Sequence, residues 1–202
     1  MARRRDPEAQ RARRAAAEAS DVLEAAARSL SGAPRSRKNL EERLIASGYP
    51  EVHVRAAVAR LVEIGLIDDE RFGQALLDSR DRSRQRGDRA LLHELKRRGI
   101  DDELAQRLLA RRAAGGSHDT EPVWGATLRT VEGDGEGAEE RAARAALAKL
   151  RLRGGDARVE VQRLAQGLAR RGFPSALSWR LARERVESER ETPLPDGDID
   201  LE

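Results

Sequence analysis

Cysteine is absent from this 202-residue chain. That excludes a disulfide framework and thiol chemistry, and it fits a reducing compartment. Aromatic residues are 2% of the composition, so a base-stacking platform of the kind found in single-strand-binding folds is not indicated. Lysine is nearly missing: of 39 basic residues only Lys38, Lys96 and Lys149 are lysine. Arginine in such excess, beside so much Ala and Gly, can reflect the base composition of the coding DNA. The positions of the cations therefore carry more information than their type. No run of about 18 apolar residues occurs, so no membrane span is expected. The charged N-terminus lacks an apolar signal core, which points to a cytoplasmic protein. There is no Gly-x4-Gly-Lys-Ser/Thr phosphate loop and no nucleophile elbow, and His53, His93 and His118 are scattered. No catalytic, cofactor or metal site assembles from these residues, so the expectation is a protein that is not an enzyme and needs no cofactor.

What is present is a repeat. Leu-x-x-x-Leu-x-x-x-Gly followed by a bulky apolar residue occurs at Leu40–Leu44–Gly48–Tyr49, at Leu91–Leu95–Gly99–Ile100 and at Leu164–Leu168–Gly172–Phe173. Leucines four apart share one helix face. A glycine four residues further on is placed to end that helix in a left-handed cap. With Gly48 as C′, Leu44 is C3 and Tyr49 is C″, the pair that touches in a Schellman cap. Each copy thus reads as helix, clasp, next helix, with Pro50, Asp101 and Pro174 opening the following helix. A further helical stretch precedes each copy, around Val22–Leu30, Phe72–Leu77 and Leu147–Leu150. Leu61–Gly65–Leu66 repeats the clasp spacing at a join, and Asp68 follows as an N-cap with Asp69 and Glu70 in the first turn. The fold class expected is all-α: three tandem three-helix repeats, helix-turn-helix-like, in an elongated array.

Composition changes divide the chain. Residues 1–18 form a basic lead-in, a frayed helix at most. Repeat 1 is placed at 19–67, with Ser36 as N-cap of its Leu40 helix. Repeat 2 is placed at 68–112 and repeat 3 at 138–186. Between them, 113–137 reads as a Gly-rich acidic linker, with Trp124 as an oddity inside it. Residues 187–202 read as a disordered acidic tail. The net charge is only +3 but uneven. Residues 79–98 hold eight Lys or Arg against three acids, and residues 141–186 hold twelve against three. Residues 187–202 hold seven acids against one Arg. A basic body with acidic appendages suggests an anionic partner, with nucleic acid leading.

The candidate binding residues follow that clustering. Arg80 and Arg84 fall on one helical stripe, and Arg82 and Arg86 on a second. Gly87 is expected to stop that helix and Asp88 to cap the next, which Arg89 would open. Lys96, Arg97 and Arg98 precede one clasp, and Arg170 and Arg171 precede another. Arg151 and Arg153 lie in the basic third repeat. Guanidinium groups so placed can track phosphates or pair with carboxylates. They can equally form a solvated face, or meet a helix C-terminal dipole just before the clasp glycines.

The stretch from Ser36 to Ile100 resembles the RecX family, regulators of the RecA recombinase. The residues that carry the resemblance are Leu40, Leu44, Gly48-Tyr49, then Leu61 with Gly65-Leu66-Ile67-Asp68-Asp69-x-Arg71-Phe72, then Ser79-Arg80, Gly87 and Glu94-Leu95-Lys96-x-x-Gly99-Ile100. Arg171-Gly172-Phe173 fits the family's last repeat more loosely. The resemblance implies three tandem three-helix repeats and a non-enzymatic modulator. It implies binding to RecA and to the RecA–single-stranded DNA filament, with suppression of ATPase, strand-exchange and coprotease activity in the SOS response and DNA repair. Weak binding to single- or double-stranded DNA, no membrane association and a monomeric state complete the expectation. A RecA-independent helical DNA-binding protein and a protein-only helical-repeat scaffold remain the alternatives.

Overall fold

The computed structural model describes residues 7–83, 85–114 and 137–191. Every regular element among the described residues is an α-helix: α1 Pro7–Ala15, α2 Ala19–Gly32, α3 Arg37–Ala46, α4 Glu51–Glu63, α5 Asp69–Ser83, α6 Asp88–Arg97, α7 Asp102–Ala113, α8 Ala138–Ala148, α9 Ala157–Ala169 and α10 Ser175–Glu191. The triplets α2–α4, α5–α7 and α8–α10 each carry the Leu-x-x-x-Leu helix in the middle. None of the described helices is long and apolar enough to cross a membrane.

The clasps form as their spacing predicts. Gly48, Gly65, Gly99 and Gly172 take φ values of 98°, 73°, 86° and 88°. The Tyr49 N–H donates to the Leu44 carbonyl at 3.3 Å and the Gly48 N–H to the Ile45 carbonyl at 2.9 Å, the two bonds of a Schellman cap. Leu66 to Leu61 (2.9 Å), Ile100 to Leu95 (3.1 Å) and Phe173 to Leu168 (3.4 Å) repeat the longer bond. The N-caps also form. Asp68 accepts from the Arg71 N–H at 2.9 Å, and Asp156 accepts from the N–H groups of Arg158 and Val159.

The chain forms two compact units, Met1–Asp78 with His93–Leu108, and Ser79–Leu92 with Leu109–Glu202. Helices α5, α6 and α7 contribute residues to both. In the first unit, Val22 and Ala26 of α2, Leu40 and Leu44 of α3, and Val54, Val58 and Leu61 of α4 make one core. Gly73 of α5 lets α7 approach closely: a Cβ there would stand 2.5 Å from Leu108 Cδ1. In the second unit, three alanines and Leu147 of α8 pack with Leu164 and Leu168 of α9, Phe173, and Leu181 and Val186 of α10. Each fully buried leucine contributes about 1.5–3 kcal/mol, so these small cores rest on the leucine pairs that the repeat displays.

Three expectations change. Gly87 is not a helix stop. Helix α5 ends at Ser83, Gln85 takes the left-handed conformation at φ 36°, and its N–H donates to the Arg80 carbonyl at 3.1 Å. Gly87 is instead the N-cap of α6, its carbonyl accepting from Ala90 and Leu91, and Asp88 is the first helical residue rather than the cap. Finally, α10 runs to Glu191, so residues 187–191 are helical rather than tail. The next proline is Pro193, and nothing before it breaks a helix. Trp124, most of the expected linker and residues 192–202 lie outside the described residues.

Candidate nucleic-acid interface

The first unit contains a joint between two clasped segments. Ser36, N-cap of α3, donates its hydroxyl to the Arg98 carbonyl at 2.5 Å while accepting from the Asn39 N–H. The next N–H, of Arg37, donates to Asp69 Oδ1 at 2.7 Å. Burial pushes the Asp69 carboxyl up, against the opposing pull of Arg37. The fit at Gly99 is close: a Cβ there would lie 2.7 Å from Ser36 Oγ and 3.1 Å from Lys38 Cβ. Asp69 thereby satisfies an orphan N–H at the start of α3, and the Ser36 hydroxyl satisfies an orphan carbonyl just past the end of α6.

The second unit repeats this joint with different groups. Gly87 occupies the N-cap position, and its backbone N–H donates to the Arg171 carbonyl at 3.1 Å. The next N–H, of Asp88, donates to Glu139 Oε1 at 2.8 Å. A Cβ on Gly87 would sit 2.3 Å from the Gly172 carbonyl oxygen, and one on Gly172 would sit 2.7 Å from the Ala90 nitrogen. Backbone meets backbone here, which is why the N-cap is glycine.

Each joint draws cations from two distant segments to one place. In the first unit Arg97 and Arg98, both exposed, precede the clasp that seats on Arg37 and Lys38. In the second, Arg170 and Arg171 precede the clasp that seats between Arg86 and Arg89. Among the described residues, the guanidinium groups of Arg89, Arg97, Arg98 and Arg170 have no ion-pair partner. These unpaired cations favour an anion, although carboxylates also lie at both joints and Lys38 pairs with Glu42 at 3.9 Å. The rest of the expected set is partly engaged. Lys96 pairs with Asp102 at 2.8 Å, and the Arg171 Nη1 donates to the Gly167 carbonyl at 3.0 Å. Arg80 is half-buried on α5 and Arg82 is exposed in its last turn. Arg84 lies outside the described residues. The expected stripe of Arg82 and Arg86 does not form, because the turn at Gln85 takes Arg86 off the helix. Lys149 holds that turn, donating to Gln85 Oε1 at 2.5 Å.

A buried ion cluster fixes the same segment. Arg112 of α7 is 5% exposed. It donates to both oxygens of Asp81, at 3.0 Å from Nε and 2.8 Å from Nη2, and pairs with Asp88 through Nη1. Burial works against the charge on Arg112, but Asp81 and Asp88 outweigh it and raise its pKa. Burial also raises the pKa of Asp88, opposed by Arg112 and reinforced by the nearby charges of Glu139 and Asp81. Thus Asp81, within the arginine-rich run, holds the segment that carries Arg86 and Arg89.

Arg151 and Arg153 lie elsewhere in the second unit, on the loop before α9. They line a hollow with Leu152 and Arg163. Glu160 organises that loop, accepting from the Arg153 N–H at 2.9 Å and from Arg163 Nη2 at 2.5 Å. The Arg163 hydrogen bond, followed by the Arg153 N–H, holds the Glu160 carboxyl down to about 2. Arg163 also donates to the Arg151 carbonyl. Arg37, Lys38, Arg112, Asp81, Glu160 and Arg163 are the residues that sequence reasoning missed. For Arg112 a signal existed: it continues the buried stripe Ala105, Leu108, Leu109 of α7. Among the described residues no group of three or more His, Asp or Glu could hold a metal ion.

Comparisons with known proteins follow this geometry. The family model described as RecX, first three-helix domain, matches residues 23–61, and RecX, second three-helix domain, matches residues 68–109. The chain is similar to Regulatory protein RecX of Thermobifida fusca (strain YX), 36% identical over 165 residues, covering 80% of this chain and 77% of that protein. It is similar to Regulatory protein RecX of Streptomyces coelicolor, 34% identical over 173 residues, covering 85% and 80%. Among solved structures, the crystal structure of RecX from Lactobacillus salivarius superposes with a TM-score of 0.64 at 19% identity, covering 82% of this chain and 95% of that chain. That last likeness is one of fold.

Proposed function

The chain belongs to the RecX family of regulatory proteins, and from that premise we propose that it regulates the RecA recombinase by binding RecA and its filament on single-stranded DNA. The regulation is mainly inhibitory and covers strand exchange, ATP hydrolysis and coprotease activity in DNA repair. It works by binding, as a cytoplasmic monomer, without catalysis of its own. The contact residues are those expected from the sequence together with Arg37 and Lys38. Arg86, Arg89, Arg170 and Arg171 serve at one joint, and Arg37, Lys38, Arg97 and Arg98 at the other. Arg80, Arg82, Arg84, Lys96, Arg151 and Arg153 complete the proposed contact set. The repeats at 19–67, 68–112 and 138–186 are its working modules.

The observation that supports this reading most is the pair of joints, where a clasp carrying two arginines seats on a second cationic segment. Such a surface suits phosphates or acidic side chains, and hydrogen bonds to the backbone hold its segments together at both joints. The test is a titration of RecA's DNA-dependent ATP hydrolysis with this protein, from substoichiometric to equimolar. The expected result is progressive inhibition. No inhibition at any ratio would overturn the reading. Tight duplex binding with a steep salt slope and no filament effect would favour a RecA-independent DNA-binding protein instead.

A further inference from the structure

The clasps that end the three Leu-x-x-x-Leu helices are not occupied alike. At Gly99 and Gly172 the neighbour is the N-terminus of a Leu-x-x-x-Leu helix. At Gly48 the neighbour is α1. The Cγ of Arg11 lies 3.0 Å from where a Cβ on Gly48 would stand. Arg14 Nη1 donates to the Ser47 carbonyl at 3.1 Å, and its guanidinium lies 5.6 Å from the centroid of the Tyr49 ring.

Little else holds α1. It buries no residue. Its anchor is Ala17, packed into the core of the first unit, with its carbonyl 3.0 Å from His53 Nδ1. Helix α2 then starts afresh with a capping box between Glu18 and Asp21. So α1 is tethered at its C-terminal end and held along its length through arginines. Those arginines meet neutral groups: among the described residues no carboxylate pairs with Arg11, Arg13 or Arg14. Arg13 is exposed.

A carbonyl and an aromatic face hold a guanidinium more weakly than an anionic oxygen does, because only the anion adds the attraction of an opposite full charge and a bidentate partner for the guanidinium fork. We propose that α1 is a nucleic-acid-binding arm stowed on the first clasp. A phosphodiester backbone draws Arg14 off Ser47 and Tyr49 and Arg11 off Gly48, gains Arg13 as a third contact, and uncovers the clasp as the arm leaves. The inference rests on nucleic acid being a partner, as in the reading above, and does not depend on RecA.

The chain has no cysteine and a single tyrosine, which makes the test clean. A nitroxide is attached to the otherwise full-length Ala9→Cys variant, and the ring resonances of Tyr49 are followed by NMR. In the free protein the nitroxide broadens them. Saturating 20-nucleotide oligothymidylate restores them, and potassium chloride of matched ionic strength does not. Broadening that persists at saturation, or that is absent from the start, overturns the proposal. In parallel, the Arg11→Gln/Arg13→Gln/Arg14→Gln variant lowers the slope of log affinity against log salt by roughly 2, at about 0.7 per phosphate contact on a single strand. An unchanged slope overturns it too. Loss of RecA inhibition with normal arm release, or the reverse, separates this claim from the proposed function.

Discussion

The two joints perform the same join with opposite chemistry. In the first unit the N-cap is Ser36, and a side-chain hydroxyl reaches the carbonyl ahead of the clasp glycine. In the second the N-cap is Gly87, and the backbone N–H reaches it directly. In both, the following N–H finds a carboxylate on the first helix of the next repeat, Asp69 in one and Glu139 in the other. The hydroxyl version is a hydrogen bond that can be removed while the packing remains. The backbone version has no removable group, only space that must stay empty. The second joint also carries the buried Arg112 cluster. One design therefore has two different weak points. The third N-cap in the series, Asp156, spends its side chain on its own helix and cannot donate to a carbonyl. It could not seat a further clasp in the manner of Ser36.

Substitutions can separate the joints. The largest effect is expected from Arg112→Ala, which strands Asp81 and Asp88 in a partly buried place and costs roughly 3–5 kcal/mol. Denaturant unfolding measures it, and Arg112→Met should recover part of the loss by removing the charge while keeping the stem. Next comes Gly87→Ala, where the new Cβ must displace the Gly172 backbone. A cost of about 3 kcal/mol is expected, together with faster amide exchange at Ala90 and Leu91. Ser36→Ala removes two bonds at the other joint, the one to the Arg98 carbonyl and the N-cap bond from the Asn39 N–H, and should cost about 2 kcal/mol. A cost at Ser36 equal to that at Gly87 would erase the contrast between the joints.

The smallest effect is expected from Glu160, and it is read from how stability is lost in acid. Its folded pKa is depressed, so the stability it contributes is present above the ordinary carboxylate value of about 4.3 and is lost as pH falls toward about 2. Wild-type unfolding midpoints should fall across that window more steeply than those of Glu160→Gln. Parallel curves would place the acid sensitivity elsewhere.

The clasps were legible because they are local. Their bonds join residues five apart or fewer, and glycine at a left-handed position leaves a spacing that can be counted. The joints were not legible. Ser36 meets Arg98 across 62 residues, and a donor of either chemistry serves the same carbonyl. Gly87 misled because glycine after a charged helix usually marks a stop, whereas here Gln85 takes the left-handed turn and the glycine answers to a contact from the third repeat. A helical wheel places Arg86 beside Arg82, but the turn at Gln85 takes Arg86 off that wheel. Arg111 and Arg112 look alike in sequence, and only the α7 register separates the half-exposed one from the buried one. Family membership was legible from Gly65 to Phe72, a stretch whose bonds serve structure. Asp68 caps its own helix and Asp69 caps α3.

The central claim is that the joints present the cations through which this protein regulates RecA. The direct measurement compares wild type with Arg97→Gln/Arg98→Gln and with Arg89→Gln/Arg170→Gln in the titration of RecA's DNA-dependent ATPase. All these side chains lack ion-pair partners among the described residues, so the variants should keep wild-type unfolding midpoints. The account expects inhibition by wild type and at least a tenfold higher concentration for half-inhibition by either variant. Equal potency of all three proteins would contradict it.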